Sequence, residues 1–156
     1  MNAIARRALI ASALTAAFAA ALSAPAFAAG AAHRLVVQID TADAATMGLA
    51  LNNVENTAKE LTANGGDVAI DIVAFGPGLN MLRADKSPAP IKDRIARLKE
   101  SIFPATVQFS ACGNTKKKME KAEGHPISLV PQATLVSSGV VQIMKREETG
   151  WSYLRP

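Results

Sequence analysis

The chain is 156 residues long, with 17 Lys and Arg against 13 Asp and Glu and a formal charge of +4. One Trp and one Tyr leave no interleaving of basic and aromatic side chains of the kind that stacks bases, which argues against a nucleic-acid surface. A single cysteine excludes an internal disulfide, so a hydrophobic core must supply the stability.

In chain order, Arg6 and Arg7 come first, then an apolar run over 8–22, then Ser23-Ala24-Pro25-Ala26-Phe27-Ala28 with an A-x-A pattern. Charge, apolar stretch and small residues in that order predict a secretory signal peptide over 1–28, cleaved after Ala28. The periplasm is the expected destination, with secretion beyond the cell as the alternative. No later run approaches the roughly 20 apolar residues that a membrane span needs, so no stable membrane insertion is expected. The leader holds two arginines and no acid, so residues 29–156 carry +2 and have the length of a single domain.

Within that domain, strand and helix signals alternate. Leu35-Val36-Val37-Gln38-Ile39 reads as a buried strand ending at Asp40. From Asp43, a candidate N-cap, to the stop at Asn64-Gly65-Gly66, apolar residues at Met47, Leu51, Val54, Ala58 and Leu61 recur four and three apart and predict a helix. Residues 68–75 predict a second strand, broken by Gly76-Pro77-Gly78 and followed by a short turn over 79–82. Pro90 suits the first turn of a helix that turns Ile91, Ile95, Leu98 and Ile102 inward and Lys92, Arg94, Arg97 and Lys99 outward. Residues 106–110 predict a third strand and 114–123 a short charged helix. A fourth strand follows at 133–136, Ser138-Gly139 opens a helix through Val140, Ile143 and Met144, and 151–154 make a fifth strand. Such alternation predicts an α/β fold, a three-layer α/β/α sandwich on a mainly parallel sheet of about five strands.

Ligands of such sheets bind where the strands end, and the chemistry-bearing residues gather there. Cys112 follows the third strand at a predicted helix start, where the helix dipole and the charges of Lys116, Lys117 and Lys118 favour thiolate. A small cysteine packed on the sheet is the plainer reading of the same position. Gly113, Asn114 and Thr115 beside it, Gly76 and Gly78 after the second strand, Asp40 after the first, and Ser138 and Gly139 after the fourth complete a candidate ligand-binding set. Helix starts accept anions through unpaired backbone N–H groups, although ordinary capping accounts for Ser137 and Ser138 more simply. Capping also explains Asp40 and Asp43 more simply than a catalytic carboxylate pair does. The only histidines, His33 and His125, make no zinc pattern, and no metal or other cofactor is expected. His125 near Cys112 is a candidate base, with an exposed loop residue as the plainer reading.

The segments 49–56, 73–78, 109–115, 138–141 and 150–156, taken together and in order, resemble the DsrE/DsrF-like proteins over nearly all of 29–156. The resemblance implies an α/β/α sandwich, homo-oligomers and, in some members, a cysteine that receives and passes on sulfane sulfur. Cys112 stands at that cysteine's position. The chain departs from the sulfur-relay members in its leader, in the lysines after Thr115 and in lacking a second cysteine. The expected function is a periplasmic protein that binds or carries a reduced sulfur species on Cys112, with a sulfurtransferase-like role. The alternative is a non-catalytic oligomeric module that binds a small anion and whose cysteine is incidental.

Overall fold

The computed structural model describes residues 33–156; the predicted leader, 1–28, lies outside the described residues. Five strands, β1 (His33–Ile39), β2 (Val68–Ala74), β3 (Thr106–Cys112), β4 (Ala133–Val136) and β5 (Ser152–Leu154), form one sheet in the order β4-β3-β2-β1-β5. Every neighbouring pair of these strands is parallel. The helices are α1 (Ala44–Ala63), α2 (Ala89–Ser101), α3 (Gly113–Glu123) and α4 (Gly139–Glu148), with a 3-10 segment at Gly76–Leu82. The architecture is the expected α/β/α sandwich.

The hand of the connections decides which helix lies on which face. From β1 to β4 the chain steps across the sheet in one direction, so right-handed crossovers put α1, α2 and α3 on one side. The return from β4 at one edge to β5 at the other reverses the direction and puts α4 on the opposite side. The core follows this division. The larger cluster packs Ile39, Ile70, Ile72, Phe109 and Ala111 against Met47, Leu51, Val54, Ile91, Ile95 and Leu98, and a smaller one places Val36, Ala69 and Val73 beneath Ile143 and Trp151. Central β2 is covered on both faces and buried throughout, yet it carries an acid, Asp71.

Local chemistry sets the element ends. Asp43 caps α1 by accepting from the Thr46 N–H and hydroxyl, each at 2.7 Å. The third strand runs two residues beyond the expected Ser110, because Cys112 still pairs with Val136, and α3 begins at the next residue. The expected turn over 79–82 is instead the end of a 3-10 segment that starts at Gly76, whose φ of +52° suits glycine.

Arg83, just after that segment, is fully buried. Its guanidinium bonds Asp85 at 2.6 and 2.9 Å and Glu123, at the end of α3, at 2.6 and 2.8 Å; Lys86 joins Glu123 at 3.0 Å. The bonds from Arg83 and then Lys86 hold the Glu123 carboxyl at about 2, down from an ordinary 4.5. A carboxylate depressed on folding contributes stability above its unfolded value and loses it as pH falls through the folded one. Thermal melts across a pH series are therefore expected to show stability falling between 4.5 and about 2. Glu123→Gln is expected to melt lower than the parent at neutral pH and to lose less across that window.

Candidate functional site

Cys112 is at once the last residue of β3 and the N-cap of α3. Alternation along the strand puts it on the same face as Ser110, which is the face that α4 crosses. Its side chain is buried, and Sγ accepts the Thr115 N–H at 3.5 Å. The Thr115 hydroxyl accepts the Gly76 N–H at 3.0 Å, which leaves its own proton to give to sulfur. The backbone N–H groups of Asn114, at the start of α3, and Gly139, at the start of α4, also lower the thiol.

Two glycines let these elements approach. At Gly113 a Cβ would sit 2.9 Å from the Val136 carbonyl oxygen, so glycine brings the end of β4 against the start of α3. There the Asn114 N–H also bonds the Ser137 carbonyl at 3.2 Å. At Gly139 a Cβ would lie 3.0 Å from the Phe75 side chain, so glycine lets α4 settle onto the sheet beside Cys112. Burial pushes the thiol up. The Thr115 hydroxyl and the N–H groups of Gly139, Thr115 and Asn114 more than offset that, and the thiol lies below its ordinary value.

The causes of this lowering are hydrogen bonds, not the lysine charges expected from the sequence. Lys116 is paired with Glu120 one turn along α3, and Lys117 and Lys118 are exposed. A charge on a solvated side chain is screened, whereas a donor at hydrogen-bond distance is not.

The other candidates divide by strand. Gly76, Gly113, Asn114, Thr115, Ser138 and Gly139 lie at the ends of β2, β3 and β4 around the sulfur. Ser138 is the N-cap of α4 but makes no side-chain capping bond. Gly78 is buried elsewhere: a Cβ there would come within 2.2 Å of the Ile39 carbonyl oxygen, so it serves close packing under β1. Asp40 also follows β1, two strand spacings or about 10 Å from β3, and is held by Gln38 at 3.0 Å and Arg155 at 2.9 Å. Neither imidazole accompanies the thiol. His125 lies beyond the far end of α3, next to the Pro126 carbonyl at 3.0 Å, and His33 opens β1, at the opposite end of the parallel strands from Cys112.

Sequence reasoning missed Asp71. It is fully buried and accepts from the Ser110 hydroxyl at 2.6 Å, Gln142 Nε2 at 2.8 Å and Arg146 Nε at 2.7 Å. The Arg146 guanidinium in turn lies 4.2 Å over the Trp151 ring. The available signal was a lone acid in an otherwise apolar strand.

Fold and site together define a parallel α/β sandwich that presents one buried thiol to the first turns of two helices. The solved structure of MTH1491, a protein of unknown function from Methanobacterium thermoautotrophicum, is similar to it over 80% of this chain and 99% of that one, with 33% identity and a TM-score of 0.64. The chain belongs to the family of that protein, and its fold is compatible with a DsrE-like one. No protein-family model and no curated protein matches the chain.

If hydrogen bonds rather than lysines set the thiol, Thr115→Val is expected to shift the pH profile of Cys112 alkylation upward, with the rate at neutral pH falling about threefold or more relative to its own high-pH plateau. Thr115→Ser is expected to keep the parent profile. So is the double replacement of Lys117 and Lys118 by Ala.

Proposed function

We propose that the chain is a DsrE-like carrier of sulfane sulfur, exported to the periplasm and working through Cys112. The observation that supports this reading is the convergence of donors from two helix starts on one sulfur atom, since the same donors favour thiolate and, after transfer, an anionic persulfide. In the loading step the Cys112 thiolate attacks the terminal sulfur of a small persulfide, R–S–SH. The donor's S–S bond breaks as the new one forms, its electron pair leaves with R–S⁻, and the proton stays on the transferred sulfur. The products are Cys112–S–SH and the donor thiolate, with no net oxidant consumed. The burial of Cys112 favours a small donor over a protein thiol.

The small-anion module fits less well. The Thr115 N–H that would hold a free anion is engaged by Sγ, and that of Asn114 also bonds the Ser137 carbonyl. Hydrolysis through the thiol lacks an imidazole at hand. Self-association is part of the proposal. Val140, Val141 and Met144 on the outer side of α4 are each about half exposed, more apolar surface than a short solvated helix ordinarily presents.

Mass spectrometry after incubation with glutathione persulfide tests the reading. The parent is expected to gain one sulfur atom and Cys112→Ser none. Serine is a strong N-cap, so that variant is expected to stay folded with a melting temperature close to the parent's. A folded parent that gains no sulfur would contradict the proposal.

A further inference from the structure

Asp71 sits in the middle of β2 with no exposure to solvent, an acid in a strand otherwise made of Val, Ala and Ile. A buried carboxylate is costly unless donors meet it. Three do, and two of them, Gln142 and Arg146, are one turn apart on α4. Among the described residues α4 is the helix that covers this face, over a small apolar base of Val36, Ala69, Val73, Ile143 and Trp151. Apolar contact is non-directional and leaves a helix room to slide. Two short bonds to one fixed carboxylate do not. Gly139 lies one turn before Gln142, so whatever fixes Gln142 also fixes the direction of the Gly139 N–H.

We propose that Asp71 is a positioning residue for Cys112: through Gln142 and Arg146 it sets the height and tilt at which the first turn of α4 meets the sulfur. It does not act by contact. Asp71 stands opposite Gln108 on β3, and Cys112 is four residues further along that strand, about 13 Å away. The influence runs up α4 and down through one N–H group. The inference rests on the reading of Cys112 as the chemically active group.

The test is the pH profile of iodoacetamide alkylation of Cys112, each profile normalised to its own high-pH plateau so that access and ionisation separate. The proteins are the parent, Asp71→Asn, Gln142→Leu and Ile95→Ala, all held below their melting temperatures. Gln142→Leu removes one donor and keeps the apolar stem, so it remains informative where Asp71→Asn fails to fold. Ile95→Ala weakens the core on the opposite face and leaves α4 alone. Both latch variants are expected to retain a fraction of the plateau rate at neutral pH about threefold smaller than the parent's, with Ile95→Ala unchanged. Coincident profiles for parent and latch variants would overturn the inference, and so would an equal displacement in Ile95→Ala. A parent that titrates as an ordinary free thiol would overturn the reading of Cys112 and the latch with it. A parent below that value with unmoved variants overturns the latch alone.

Discussion

Every α-helix leaves the N–H groups of its first turn without an acceptor inside the helix, and here two helices bring such groups to one sulfur atom. Cys112 Sγ takes the place that a serine or aspartate oxygen ordinarily fills at the start of α3, and the first turn of α4 reaches the same atom. Burial alone would push this thiol up. The donors outweigh burial and bring it below its ordinary value, so capping geometry and thiol chemistry are here one arrangement. The arrangement depends on topology: β4 lies beside β3, only Ser137 and Ser138 separate β4 from α4, and Gly113 and Gly139 remove the side chains that would hold these elements apart.

Each of the two helices is also tied down by a buried charge away from the sulfur. Arg83 grips Glu123 at the far end of α3, and Asp71 grips Gln142 and Arg146 along α4. Buried ion pairs contribute little net stability, because desolvation cancels most of their attraction. Their directionality is a different matter. A carboxylate met by several short bonds admits one pose of the helix that supplies them, and a helix held in one pose presents its first N–H groups in one direction.

Much of the fold was legible because apolar spacing is a local property. Met47, Leu51, Val54 and Ala58 recur at helical intervals, and all four are buried in α1. The apolar runs of β1, β2 and β3 read as strands for the same reason, and alternation with helices implied the parallel sheet. The place of Cys112 was legible too, since an apolar run gives way there to Gly113-Asn114-Thr115. What was hidden is non-local. The partners of the sulfur include Gly139, on a helix that arrives from the next strand, and Gly76, which acts through the Thr115 hydroxyl. The lysine run after Thr115 drew attention because it is adjacent in sequence, but its side chains go to Glu120 or to solvent. Gly78 looked like one more loop glycine, whereas its missing Cβ makes room for the end of β1. Asp71 was visible as an oddity in β2, yet its meaning required α4 to cross the opposite face of the sheet.

The central claim is that hydrogen bonds from two helix starts, not neighbouring charges, lower the Cys112 thiol despite its burial. The most direct measurement is the ultraviolet absorbance of the thiolate as a function of pH, taken as the difference between the parent and Cys112→Ser. The account predicts a single transition centred below that of a free cysteine thiol, unchanged in position by moderate salt because its causes are hydrogen bonds and not surface charges. A transition at or above the free-thiol value, or one that moves strongly upward with added salt, would contradict it.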